Sequence, residues 1–296
     1  MFAIVGILLV FGAVIGGFLM EKGHIAVLVQ PAEFLIIVGA GLGTLLIANP
    51  LHTLKAIFSS ALGVFGKSHF TRERYVSTLK MMYELLNKVR RTGMLSIEAD
   101  IEQPAESLIF KEYPAFLHDE AACSFVCDTM RMAVTGGIEP FDLDQMMDLD
   151  MEVQHRSSHQ PVAALTTVAD SLPGLGIVAA VLGVVITMGA LGGPPEEIGH
   201  KVAAALVGTF LGILLCYGLV GPIGSHLSKE AEEEHAFLYV LRVLMVSFIK
   251  GNAPVQAVEM ARRAIPMHVR PTFVEVEAAC RGQQADGAAR AEEQAA

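Results

Sequence analysis

Catalysis and metal binding need titratable or nucleophilic side chains at workable spacings, and this sequence holds few. Cys123 and Cys127 stand one helical turn apart, as do His155 and His159. Either pair has the spacing of two metal ligands, but a zinc site takes at least three protein ligands and no third is spaced to join them. The cysteines therefore read as small core residues and the histidines as surface residues. Residues 61–68 read Ala-Leu-Gly-Val-Phe-Gly-Lys-Ser, a relaxed fit to a phosphate-binding loop. Such a loop needs a buried strand before it and a helix after it inside an α/β domain. Here an apolar span precedes it and no strand ending in Asp follows, which argues against ATP. No serine sits in a nucleophile elbow. Neither enzyme activity, nor a metal, nor a cofactor is expected.

What remains is hydroxyls inside long apolar runs, chiefly Thr187 and Thr209. Ionisable residues within membrane spans mark proton relays and ion paths. None stands in the middle of any apolar run here, and Glu33 lies only at the entrance of one. The expectation is a chain that lines an ion path while another chain supplies the titrating group.

Four runs must position these hydroxyls. Phe2 to Met20, Pro31 to Asn49, Ser171 to Leu191 and Val202 to Ile223 are each about 20 residues long, enough to cross ~30 Å of hydrocarbon as helix. The first run lacks a basic leading segment and a small-residue cleavage site, so it is not a removable signal. The last two are joined by a short polar turn, Gly192 to Lys201, and must be antiparallel neighbours. Ala179 and Gly183, then Ala204, Gly208 and Gly212, recur at four-residue spacing, which lets backbones approach closely in lipid. Pro173 and Pro222 fall near one membrane face, and the pair of spans looks built to move against neighbours.

The rest of the chain is polar and helical. Of 21 Lys and Arg, only Lys22 and Lys201 fall in the two short loops, so the bulk of the polar mass and both termini are expected on the cytoplasmic side. In that compartment the four cysteines are expected as free thiols. A net charge of −10 argues against nucleic acid as a partner. After Pro50, residues 51–66 form an amphipathic stretch at the membrane surface. Tyr75, Leu79, Met82, Leu86 and Val89 alternate spacings of four and three, so a helix spans Arg72 to Arg91 and Gly93 closes it. Further helices are expected over Phe116–Thr135, over Asp142–Asp170 with an interruption at Pro161, over Ser228–Lys250, and around 254–264 and 271–280. The fold class is an all-α integral membrane protein with four transmembrane helices, a large helical cytoplasmic loop and a helical C-terminal tail. Its divisions are 1–50 for spans one and two, 51–169 for the cytoplasmic domain, 170–224 for spans three and four, 225–281 for the C-terminal helices and 282–296 for a disordered tail.

Several stretches together resemble a known family. They are Gln30-Pro-Ala-Glu33, Gly39-Ala-Gly41, Gly93-Met94, Glu98-Ala-Asp100-Ile-Glu102, Asp170-Ser-Leu-Pro173, Gly176-Ile-Val-Ala-Ala180 and Val207-Gly-Thr-Phe-Leu-Gly-Ile-Leu214. Across nearly its whole length the chain resembles the A subunit of the bacterial flagellar motor stator, the MotA family. The resemblance implies an inner-membrane homo-oligomer, a pentamer, around two copies of a single-span B subunit. That B subunit would carry the ion-binding aspartate that this chain lacks. It further implies proton-driven torque on the rotor switch protein, with Arg90 and Glu98 as rotor contacts and Pro173 and Pro222 as conformational elements. Ala180 and Thr209 would line the ion path; sodium-type relatives carry a threonine at the position of Ala180, which points to protons. Two other readings are an energiser of outer-membrane transport of the ExbB and TolQ kind and a self-contained channel or transporter. Four spans count against the first, and the absence of membrane charge counts against the second.

Overall fold

The computed structural model describes residues 2–64, 66, 69–189, 192 and 194–282. The tail expected from 282 onward lies outside the described residues apart from Gly282, as do Lys67 and Ser68 of the phosphate-loop look-alike. Among the described residues the chain is helical throughout, without strands. In order come α1 (Phe2–Met20), α2 (Ile25–Leu28), α3 (Pro31–Ala48), α4 (Leu51–Gly63) and α5 (Arg72–Thr92). A 3-10 turn (Met94–Ile97) leads to α6 (Glu98–Glu102), α7 (Leu108–Lys111), α8 (Pro114–Leu117) and α9 (Glu120–Thr135). The long α10 (Pro140–Met188) and α11 (Pro195–Leu215) follow, then a π turn (Cys216–Val220), α12 (Gly221–Ile249), α13 (Pro254–Ala264) and α14 (Phe273–Arg281). Among the described residues four helical segments are long and apolar enough to cross a membrane. The helices group into two compact units, Met1–Lys67 with Arg156–Ala231 and Ser68–His155 with Glu232–Ala296.

The first unit holds the apolar helices. Ile37 of α3, Ala169, Leu172 and Ala179 of α10, and Leu215 and Cys216 at the end of α11 form one core. Leu45, Leu54, Ile57 and Ala164 form a second, and Val64, Val162 and Leu227 a third. Pro161 does not interrupt α10, contrary to the sequence reading, and Pro173 does not end it either. A proline removes one backbone bond and crowds the preceding turn, but Val162 and Ala164 beside Pro161 are buried. Packing just after the defect carries the helix through. The polar turn before span four is also shorter than expected, because Pro195 starts α11, where its fixed φ suits the first helical position.

The second unit is built on α5, α9, α13, α14 and parts of α10 and α12. Tyr75, Leu79, Met82, Leu86 and Val89 are buried, so the four-and-three spacing identified the inward face of α5. Cys123 and Cys127 lie in the same core. The helix expected from Phe116 is broken at Asp119, which caps α9 by accepting from the Ala122 N–H at 3.1 Å. Arg74 lies 4.9 Å from the ring centres of both Phe70 and Phe237 and pairs with Asp119. Arg242 likewise joins α12 to the start of α10 through Asp144 at 2.6 Å and through Asp148.

Glu259 ties down α13. Arg262 donates to both of its carboxylate oxygens at 2.7 and 2.8 Å, and Arg263 donates at 2.8 Å. Arg262 also reaches the Pro271 carbonyl at 3.1 Å, joining α13 to the segment before α14. The Arg262 bonds, with help from Arg263, pull the Glu259 carboxyl from 4.5 down to about 2. A depressed carboxylate stabilises the fold above its unfolded value and loses that contribution as pH falls through its folded value. Glu259→Gln should therefore cost about 2 kcal/mol at neutral pH, the scale of charge-assisted hydrogen bonds. The gap from wild type should close between about pH 4.5 and 2. Thermal melts of the two proteins across that range check it; a constant gap would contradict the assignment.

Candidate functional site

In the first unit, the backbones of α10 and α11 cross at close quarters. A Cβ placed on Gly212 would lie 2.5 Å from the Leu172 carbonyl oxygen and 2.9 Å from the Gly176 Cα. One placed on Gly176 would lie 2.8 Å from the Gly208 carbonyl oxygen and 3.3 Å from the Thr209 Cα. Gly183 meets Ala205 in the same way, at 2.7 Å. Four of the small residues picked out by spacing, Ala179, Gly183, Gly208 and Gly212, line this contact. Gly176 and Ala205 line it too; the spacing argument missed Gly176 and chose Ala204 over its neighbour.

Ala180 and Thr209 both lie at this crossing. A Cβ on Gly208 would stand 3.2 Å from the Ala180 nitrogen, and Thr209 follows Gly208 on α11. Both residues are half-buried. The Thr187 hydroxyl is taken by its own helix, donating to the Gly183 carbonyl at 2.8 Å. The Thr209 hydroxyl has no hydrogen bond among the described residues and stays available.

The crossing also holds a carboxylate. Pro31 at the first position of α3 sets the start of the helix, so Glu33 falls within its opening turn. Its side chain is not at an open entrance. Glu33 is 7% exposed, and its Oε2 would touch a Cβ on Gly208 at 3.1 Å. That oxygen has no hydrogen-bond partner among the described residues. Glu33 thus stands in the first turn of its span, where the sequence places it, but buried against Gly208. One sequence signal was available: the loop before α3 is short, and α2 sits inside it.

The two prolines differ. Pro173 is half-buried within α10, next to the Leu172 carbonyl that Gly212 approaches. Pro222 is exposed in the first turn of α12. Having no N–H, it cannot bond the Gly218 carbonyl, and its ring would crowd that oxygen. The chain widens by one residue just before it: the Gly221 N–H donates to the Cys216 carbonyl, closing the π turn. Such turns recur at working positions in helices.

In the second unit, Gly93 (φ 91°) reverses the chain after α5, a conformation that suits glycine. Lys88 then bonds Asp100 at 2.6 Å, and Ser107 bonds the other Asp100 oxygen at 2.6 Å. Glu102 pairs with Arg131 at 2.6 Å. Arg90 and Glu98 flank this closed hairpin, are exposed, and join no ion pair. So the basic and acidic clusters divide into charges that hold the hairpin and charges that face outward. His155 and His159 are half-buried rather than on the surface, and the His155 ring lies 4.7 Å from that of His235. Among the described residues no three His, Cys, Asp or Glu are placed to hold a metal ion.

Known proteins resemble this chain in sequence and in fold. Residues 4–93 match the family model described as Motility protein A N-terminal, and residues 118–238 match the MotA/TolQ/ExbB proton channel family. Motility protein A of Escherichia coli (strain K12) is 39% identical over 277 residues, 94% of each chain. Chemotaxis protein LafT of Vibrio parahaemolyticus is 33% identical over 92% of this chain and 95% of that one. Two solved complexes share the fold. The C. jejuni MotAB structure has a TM-score of 0.74 at 18% identity, covering 90% of this chain and 95% of that chain. The flagellar MotAB stator complex of Bacillus subtilis has a TM-score of 0.71 at 24% identity, covering 93% and 98%.

Proposed function

The chain belongs to the motility protein A family, and from that premise we propose that it is the A subunit of a proton-driven flagellar stator in the inner membrane. The observation that carries this reading is the α10–α11 crossing inside the apolar unit, where Gly208, the residue before Thr209, packs against the Ala180 backbone. In this reading five copies surround a single-span B subunit whose aspartate carries the proton, and both termini face the cytoplasm. Ile177, Val181, Val184, Val185 and Ile186 of α10 are exposed in a single copy. Apolar faces of that extent suit lipid, neighbouring copies and a partner helix. Arg90 and Glu98 press on the rotor switch protein.

The test is made in cells deleted for this chain and its single-span partner. The pair expressed together should restore swimming, and a tag on this chain should bring the partner down from detergent extracts. Either chain alone should restore nothing. An assembled pair that leaves the cells paralysed would contradict the proposal.

Pro173 and Pro222 act here as shape elements. Replacing either by Ala restores a backbone donor and relaxes the local bend or π turn. Pro222→Ala and Pro173→Ala should leave partner binding intact and lower torque. Rotation of load-bearing motors is the measurement, and normal speed in both variants would remove the prolines from the mechanism.

A further inference from the structure

Glu33 is a carboxylate with nothing to do in the fold. Buried polar side chains are almost always hydrogen-bonded, and an unpaired buried charge is among the costliest features a protein can carry. Yet Glu33 is 7% exposed and its Oε2 has no hydrogen-bond partner among the described residues. No cation pairs with it among the described residues. α2 is Ile-Ala-Val-Leu, and α10 from Leu172 to Met188 contains no ionisable residue. On α11 the charged and titratable residues are Glu196, Glu197, His200 and Lys201, two turns or more before Gly208, and Lys201 is bonded to Glu197 at 2.9 Å. His24 precedes α2, and Asp170 lies a turn and a half before Gly176 on α10, towards its opposite end.

The seat of this carboxylate is specific. Its oxygen rests where any side chain at position 208 would stand, 3.1 Å from an added Cβ. The same missing Cβ is 3.1 Å from Ala179 Cβ and 3.2 Å from the Ala180 nitrogen. Thr209, whose hydroxyl is unbonded, is the next residue. Glu33 of the apolar α3 thus shares one glycine-lined crossing with the two positions assigned to the ion path. An ionisable residue buried in a membrane span is a functional group by default.

We propose that Glu33 is a second protonatable group on the proton route, in series with the aspartate of the B subunit. This rests on the stator reading above. A proton arriving through water adds to the Glu33 carboxylate, forming one O–H bond. That bond then breaks as the proton passes on to the partner's carboxylate, and Glu33 returns to its charged form ready for the next proton. Gly208 leaves the space in which the carboxyl turns, and Thr209 offers a hydroxyl that both accepts and donates.

Titration and packing predict opposite orders for two substitutions. Glutamine keeps the size and hydrogen-bonding shape of Glu33 but holds no exchangeable acid proton, whereas aspartate keeps the acid and loses a methylene. The variants are expressed with the B subunit in the deleted cells, co-purification reports assembly, and motor rotation under load is followed across external pH. Wild type must rotate; if it does not, the stator reading itself fails and Glu33 is not in question. With wild type rotating, Glu33→Gln should slow the assembled motor several-fold, most severely at alkaline external pH where protons are scarce. Glu33→Asp should retain more speed than Glu33→Gln. Equal rotation of Glu33→Gln and wild type at every pH overturns the proposal. So does the reverse order, glutamine better than aspartate, which marks a packing role. Should Glu33→Gln fail to assemble, the wild-type complex decides. A hydrophobic carbodiimide reacts with protonated carboxyls in apolar surroundings, so mass spectrometry should find the Glu33 peptide modified, increasingly as pH falls. No modification at any pH, or modification that ignores pH, overturns the proposal equally.

Discussion

Reversing the sign of Arg90 or Glu98 should stop cells swimming while the protein level and the partner complex stay as in wild type. Both side chains are exposed and neither holds an ion pair, so their contribution to stability is at most a few tenths of a kcal/mol. Against a charged rotor surface the sign matters, because like charge at a docking surface opposes association by up to several kcal/mol. Arg90→Glu and Glu98→Lys should therefore be severe, neutral replacements milder, and compensating reversals on the rotor switch protein should restore part of the motion. The adjacent Lys88 is the informative contrast. It pairs with Asp100, whose side chain is 9% exposed, and stranding a buried charge costs about 3 kcal/mol or more. Lys88→Glu should lose protein, whereas Arg90→Glu should lose only torque. Glu106→Lys and Lys111→Glu serve as controls, since both residues are exposed in the same unit and outside any ion pair. Arg72 is unsuitable for that purpose because it is bonded to Glu275. Swimming assays beside immunoblots check the set, and equal paralysis in the controls would reduce the effect to general charge.

Adding a single methyl group at Gly212 or Gly176 should disrupt the first unit more than any other change of that size. At Gly212 the new Cβ meets backbone at 2.5 and 2.9 Å, and at Gly176 at 2.8 Å. Backbone atoms cannot rotate away as a side-chain end can, so the helices must separate. Overpacking a tight core costs about 1–3 kcal/mol, and in lipid the lost close contact is itself the main force holding helices together. Gly212→Ala and Gly176→Ala should lower the amount of protein in the membrane and its recovery with the partner. Gly43→Ala, where nothing lies within 4 Å of the added atom, should be silent in both respects. Membrane levels and thermal melts in detergent check this; a Gly212→Ala protein that melts like wild type would mean the crossing is looser than its geometry.

Much of this molecule follows from order along the chain. Four uncharged runs have one stable form in hydrocarbon, because a helix satisfies its backbone within itself. The inward face of α5 follows from Tyr75, Leu79, Met82, Leu86 and Val89, because period and burial are tied by helix geometry. The likeness of the segments around Glu98, Pro173 and Gly208 to one family was likewise visible without coordinates. Other features rested on atoms distant in sequence. Pro161 would end an isolated helix, but Val162 and Ala164 are buried in the cores that carry α10 past it. Which glycines matter depends on what their missing Cβ would strike: Gly43 faces open space and Gly212 faces the backbone of α10. Lys88 and Arg90 are alike in sequence, yet Asp100 takes one and leaves the other. Glu33 reads as a polar residue at the mouth of a span until α11 lays Gly208 against it. Sequence determined what each segment prefers, since that preference is local. Tertiary structure decided which charge is paired, which glycine is required and which carboxylate is buried, since each depends on a partner that only the fold brings near.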